Sequence, residues 1–145
     1  MVTEIQSSVD LAPRLRTAVL RLARRLRQEA PEGLTQTQLS ALAVLHRDGP
    51  IGVGALAAAE RVKPPTATRI VDQLEGRGLV SRGPDPSDGR CVKVQLTEAG
   101  TALITRTRAR RDAFLATRLA DLGPDDQAVV VAAVELLESL FEEAR

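Results

Sequence analysis

Apolar residues recur at helical spacing near the start of the chain. Leu11, Leu15, Ala18, Val19, Leu22 and Leu26 share one side of a helix predicted over residues 9–29, whose other sides carry Arg14, Arg16, Arg21, Arg24, Arg25 and Arg27. Pro31-Glu32-Gly33 then breaks the pattern. Thr35 and Gln38 form a capping box for a second helix bearing Leu39, Leu42, Ala43 and Leu45, which stops at Asp48-Gly49-Pro50. Ile51 and Gly52 leave room for no more than a stub of strand, and an alanine-rich third helix follows from Val53 to Glu60. After the turn Arg61-Val62-Lys63, Pro64 and Pro65 stand where a fourth helix begins, because the first N–H groups of a helix have no intrahelical partner to lose. Ala67, Ile70, Val71 and Leu74 give that helix its apolar stripe as far as Gly76.

The period then changes. Leu79-Val80-Ser81-Arg82 reads as one strand, and the alternation of Val92, Val94 and Leu96 as another. Between them lies Gly83-Pro84-Asp85-Pro86-Ser87-Asp88-Gly89, dense in turn formers, so the two strands make a hairpin. Thr97 caps a long helix to about Leu119. Gly123-Pro124 punctuates, and a last helix runs to about Glu142 with Val130, Val134, Leu137 and Phe141 on one face, widened by Leu136 and Leu140. The expected fold is mainly α: a helix-turn-helix followed directly by a β-hairpin, flanked by helices at both ends.

Composition adds limits. The 145 residues are 43% hydrophobic, enough for a core, but Phe114 and Phe141 are the only aromatic residues. Leu, Val, Ile and Ala must fill the interior, which favours close helix packing. Net charge is +1 and uninformative as a total. Its distribution is not: Arg61, Lys63, Arg69, Arg77, Arg82, Arg90 and Lys93 make the middle basic, against Asp72, Glu75, Asp85 and Asp88. From Asp121 onward the acids Asp121, Asp125, Asp126, Glu135, Glu138, Glu142 and Glu143 face Arg145 alone. A polyanion-binding module beside a segment that stays off the polyanion fits this asymmetry. One cysteine, Cys91, fits a reducing cytoplasm, and with the single histidine, His46, it cannot complete a tetrahedral zinc site within one chain. No signal peptide and no membrane span are expected. No carboxylate pair, nucleophile–base pair or metal cluster argues for an enzyme, and no cofactor is expected.

On the fourth helix, a core-facing stripe at Ala67, Ile70, Val71 and Leu74 turns Pro65, Thr68, Arg69 and Asp72 the opposite way, with Thr66 and Gln73 flanking. That outward face is short, polar and cationic, with the positive end of the helix dipole nearby, and it suits a DNA major groove. Arg69 and Gln73 have the donors and acceptors to read base edges; Thr66 and Thr68 suit phosphates or a thymine methyl. A solvated helix face is the plainer reading of the same pattern.

The stretch from Leu56 to Thr97 resembles the winged helix of the MarR family of bacterial regulators. The resemblance rests on Pro65-Thr66-Ala67-Thr68-Arg69-Ile70-Val71-Asp72-Gln73-Leu74-Glu75, Gly78-Leu79-Val80, Asp88-Gly89-Arg90 and Leu96-Thr97-Glu98-Ala99-Gly100. It implies a winged helix-turn-helix DNA-binding domain over 35–97 and a helical dimerisation region over 1–34 and 98–145, joined in a homodimer through residues such as Leu11, Leu15, Leu22, Val130, Val134, Leu137 and Phe141. It implies binding to an inverted repeat in double-stranded DNA, with Lys63, Pro65, Thr66, Thr68, Arg69 and Gln73 at the recognition helix. Arg82, Ser87, Asp88 and Arg90 would serve the wing, Arg90 in or beside a minor groove and Asp88 holding the tip; a pair that only stabilises the turn is the alternative for these last two. The function implied is repression, released by a small aromatic or anionic effector. Lys63 departs from the family, which often has a serine capping this helix; lysine accepts no such bond and is a candidate phosphate contact instead.

Other readings are weaker. Gly52-Val53-Gly54-Ala55-Leu56-Ala57 fits a relaxed dinucleotide fingerprint, but a helix rather than a strand precedes it. Asp85 to Gly89 is not a calcium loop, since Leu96 stands where a bidentate Glu is needed. Cys91 as an oxidant sensor stands against a plain strand cysteine, and His46 reads as a cation near a helix C-terminus. A winged helix can also serve as a protein-interaction module, and an arginine-rich first helix could rest on a membrane surface.

Overall fold

The computed structural model describes residues 7–31 and 33–142. Glu32 of the expected break, Glu4, Glu143 and Arg145 lie outside them. The elements are α1 (Ser8–Arg27), α2 (Gln36–Asp48), α3 (Val53–Glu60), α4 (Pro64–Gly76), β1 (Val80–Pro84), β2 (Val92–Leu96), α5 (Glu98–Ala120) and α6 (Pro124–Phe141). The order is the expected one, a mainly helical winged helix-turn-helix. The chain forms two compact units that divide between Ala109 and Arg110.

The core of the first unit lies within the winged helix. Leu42, Leu45, Leu56, Ile70, Val71, Leu74, Val80, Val94 and Ile104 are among its buried members, drawn from α2, α3, α4, the hairpin and the start of α5. Each such side chain contributes roughly 1.5–3 kcal/mol of hydrophobic stabilisation. Thr35 and Gln38 form the capping box of α2 as predicted. His46 and Arg47 occupy its last turn. Arg61 closes α3 in a left-handed conformation (φ 53°), which turns the chain sharply into α4.

β1 and β2 pair antiparallel, with Val80 opposite Leu96, Arg82 opposite Val94 and Pro84 opposite Val92. The first strand begins one residue later and ends two residues later than its apolar pattern suggested, because pairing with β2 carries it past the last apolar residue. The stub at Ile51 is a single bridge: its N–H donates to the Val94 carbonyl at 3.1 Å, and Val94 N–H returns the bond at 2.7 Å. Val94 is therefore buried, whereas Val92, two residues further out along the wing, is 58% exposed.

α1 has the predicted helical stripe but, among its described residues, none is buried; Val9, Leu11, Val19, Leu20 and Leu22 are exposed. In the second unit, Gln127 Nε2 donates to the carbonyls of Leu119 (3.0 Å) and Leu122 (3.2 Å), closing the end of α5. Asp125 and Asp126 sit in the first turn of α6, where the helix dipole favours them. α6 likewise buries nothing among its described residues: Val130 and Leu137 are half-buried, and Val129, Val131, Val134, Leu136, Leu140 and Phe141 are exposed. No helix among the described residues is long and apolar enough to cross a membrane.

Candidate nucleic-acid interface

α4 starts on Lys63, whose side chain makes no capping bond, as its chemistry requires. Pro64 and Pro65 fill the first turn, and the backbone N–H groups of Thr66 and Ala67 donate to the Lys63 carbonyl at 2.9 and 3.2 Å. The helix buries Ala67, Ile70, Val71 and Leu74. Pro65, Thr68, Arg69, Asp72 and Gln73 are exposed and Thr66 is half-buried, so the outward face is the one the pattern assigned. The Thr68 hydroxyl bonds back along its own helix, donating to the Pro64 carbonyl at 3.1 Å and leaving its methyl and oxygen for contact.

The far end of α4 leads directly into the wing. Gly78 N–H donates to the Glu75 carbonyl at 2.9 Å and Leu79 N–H to the Leu74 carbonyl at 3.0 Å, with Gly78 at φ 72°. This Schellman closure needs a residue free to adopt positive φ, and Leu74 and Leu79, both buried, supply its usual hydrophobic contact. Arg77 Nη1 donates to the Gly33 carbonyl, tying the same turn to the segment ahead of α2.

Arg82 has partners within the chain. Its guanidinium lies 2.6 Å from Asp72 Oδ1 and 3.0 Å from Glu75 Oε1, and its backbone N–H reaches Glu75 Oε2 at 3.3 Å. The Asp72 hydrogen bond is the main reason its pKa rises above the ordinary arginine value. Arg82 therefore clamps β1 onto α4 and offsets two carboxylates beside the outward face. Asp72 is expected on the outward face, but neither it nor Glu75 is expected as a partner of Arg82; their spacing along α4 is legible in the sequence, their convergence on a strand residue is not.

At the wing tip the acids hold backbone. Asp88 Oδ1 accepts the Arg90 N–H at 3.1 Å, and Asp85 Oδ1 accepts both the N–H and hydroxyl of Ser87 at 2.9 Å. These bonds from Ser87 hold the Asp85 carboxyl below the usual carboxylate range, with Lys93 Nζ adding its charge at 3.4 Å. Asp88 thus shapes the turn through the Arg90 amide, and Arg90 itself is exposed. Cys91 is exposed one residue ahead of β2 rather than within it, and its thiol donates to Asp88 Oδ2 at 3.7 Å.

Gln73 has a partner that sequence reasoning missed. Gln38 Nε2, from α2, donates to Gln73 Oε1 at 3.1 Å, while Gln38 Oε1 accepts the Thr35 N–H at 3.0 Å. The capping box was visible in the sequence and accounted for one end of Gln38; nothing marked the reach of its other end to α4. No group of three or more potential metal ligands occurs among the described residues.

The MarR family profile matches residues 34–92, which hold α2, α3, α4 and most of the wing. An HTH-type transcriptional regulator of Mycobacterium bovis is 40% identical over 141 residues, spanning 97% of this chain and 99% of that protein. The structure of a MarR family protein from Bacillus stearothermophilus superposes with a TM-score of 0.80 at 26% identity, covering 93% of this chain and 95% of that one. Bordetella bronchiseptica BpsR, a protein whose DNA binding is regulated by 6-hydroxynicotinic acid, superposes with a TM-score of 0.66 at 26% identity over 96% of this chain and 98% of its own. With the outward polar helix, the clamped wing and these likenesses in hand, the chain belongs to the MarR family of transcriptional regulators, DNA-binding winged-helix proteins rather than enzymes.

Proposed function

We propose that the protein is a homodimeric repressor that lays two copies of α4 in successive major grooves of an inverted repeat, with the wing of each subunit reaching an adjacent minor groove. The observation that carries this reading is the contrast between the two kinds of exposed helix. α4 exposes Pro65, Thr68, Arg69 and Gln73 and buries its apolar side, whereas α1 and α6 expose their apolar residues and bury none among those described. Leu136, Leu140 and Phe141 at 64%, 70% and 72% exposure are costly in water unless a second protein surface covers them. A second copy is the partner that the family resemblance implies. Two subunits related by a two-fold axis place their recognition helices about 34 Å apart, one turn of DNA. Such a dimer covers a promoter and blocks it, which makes repression the direct outcome of binding.

Lys63 and Arg69 serve the phosphates and base edges near the start of α4, and Arg90 the narrow minor groove of A/T-rich flanks. Arg82, Ser87 and Asp88 contribute by holding the wing in place. The candidate place for a small anionic effector is an open depression along α1 lined by Pro13, Arg14, Thr17, Ala18 and Arg21, where two arginines supply positive charge. Regulation of the structurally similar BpsR by an aromatic acid supports that class of ligand. Binding there would release DNA by favouring a spacing of the two heads that the operator does not match.

Selection of bound duplexes from a random pool tests this reading. The expected product is an inverted repeat with half-sites about 10 base pairs apart, bound by a species of twice the chain mass. Recovery of single half-sites by a monomer would refute it. Indifference to duplex DNA even at low salt would favour a protein-interaction module instead.

A further inference from the structure

We propose that Gln38 is a specificity-determining residue: it fixes which end of the Gln73 amide meets a base. This rests on the reading of α4 as the major-groove helix. The assignment follows from one group that has no choice. The Thr35 backbone N–H can only donate, so the Gln38 atom 3.0 Å from it is the oxygen. The other end of Gln38 is then Nε2, which can only donate, and it lies 3.1 Å from Gln73. The Gln73 atom that receives it is therefore Oε1. Neither amide can flip without setting donor against donor. Gln38 is only 7% exposed, so water does not readily take over either bond, and its own N–H is anchored on Thr35 Oγ1 at 3.1 Å.

The consequence appears at the exposed end of Gln73. A freely rotating glutamine reads adenine by presenting oxygen and nitrogen together, accepting from N6 and donating to N7. With one lone pair of Oε1 taken by Gln38 and that atom drawn toward α2, the end of Gln73 turned to the groove is Nε2 with its two hydrogens. Those match best a base whose edge only accepts, guanine through O6 and N7 or thymine through O4; adenine offers N7 but sets its N6 donor beside it. The N4 amino group of cytosine meets them donor to donor.

Substitutions at Gln38 reverse or release this polarity without touching the DNA-facing surface. In Gln38→Glu the capping box survives, since Glu is a standard residue at that position. Both carboxylate oxygens accept, so Gln73 must turn Nε2 inward and Oε1 outward. Gln38→Leu removes the relay and leaves Gln73 free to rotate. The experiment is random-pool selection on the full chain in native, Gln38→Glu, Gln38→Leu and Gln73→Ala forms. It is read as base preference within the bound pool, because an added carboxylate weakens all DNA binding alike.

The native chain is expected to enrich guanine or thymine about tenfold at one symmetry-related pair of positions. Gln73→Ala should flatten that preference, Gln38→Leu should move it toward adenine by freeing Gln73 to rotate, and Gln38→Glu should move it to cytosine or adenine. Retention of the native preference by Gln38→Leu or by Gln38→Glu would overturn the proposal. So would a Gln73→Ala pool that differs from the native at no position, even though a recovered inverted repeat would leave the DNA-binding reading intact. If the native chain recovers no inverted repeat at all, the dimeric reading fails first and takes this one with it.

Discussion

Gly100 is the residue at which local propensity and tertiary packing make opposite predictions. It lies buried in the first turn of α5, against the junction of α4 and the wing. Thr97 organises that junction: its N–H donates to the Leu79 carbonyl at 3.1 Å, its hydroxyl to the Gly78 carbonyl at 2.6 Å, and its oxygen accepts the Gly100 N–H at 3.1 Å. A methyl group on Gly100 would overlap the Leu79 carbonyl oxygen and stand 3.0 Å from its carbon and 3.3 Å from Leu96 Cδ2. Leu96 can give way; the Leu79 backbone cannot, because its N–H and carbonyl are both bonded. In a helix interior Gly→Ala alone gains about 1 kcal/mol. Overpacking costs about 1–3 kcal/mol or more, and weakening the Thr97 bond to Leu79 adds about 1 kcal/mol. Gly100→Ala should therefore lose about 2 kcal/mol net, seen as a lower denaturant midpoint with unchanged slope at fixed protein concentration. Gly54→Ala, at an exposed position of α3 with nothing within 4 Å of the added carbon, is the control and should gain about 0.5 kcal/mol. A Gly100→Ala chain as stable as the native one would show that α5 does not start against the Leu79 carbonyl.

Lys63→Ser should act twice. It lowers the salt slope of DNA binding by about 0.9 per subunit by removing a phosphate contact, and it stabilises the fold by about 1 kcal/mol by giving α4 the cap it lacks; an unchanged slope removes Lys63 from the interface. Arg82→Met should weaken DNA binding several-fold at low salt while costing under about 1 kcal/mol of stability, since its partners are largely exposed. Adding Asp72→Asn should recover part of that affinity in an anisotropy titration, and no recovery would argue against uncompensated charge as the cause. Asp85 has a depressed pKa, so the order it gives the wing is complete above the usual carboxylate range and is lost as pH falls through the lower folded value. The Ser87 amide resonance should accordingly titrate below the pH expected of a free aspartate; a midpoint at or above that pH would contradict the bond.

The helices were legible because their signals are local. Thr35 with Gln38, Pro64 with Pro65, and Thr97 each announce a helix start through chemistry confined to a few residues, and the structure places helix starts at all three. The outward face of α4 was legible for the same reason, since four buried positions on a helix dictate the rest. What the sequence concealed are the contacts that decide how that face is used, for these join residues with no periodic relation. Arg82 reads from the sequence as one more cation of a basic middle; folded, it is shared between Asp72 and Glu75, and its charge serves the geometry of the wing. Gln38 reads as the second half of a capping box and is that, but an amide has two ends. Once a backbone N–H has claimed the oxygen, the nitrogen becomes a donor of fixed direction, and the 35-residue step to Gln73 passes that direction to the surface. A residue that touches no DNA can in this way decide which bases are acceptable, because hydrogen-bond polarity, unlike charge or hydrophobicity, is transmitted undiminished along a chain of amides whose first member cannot turn.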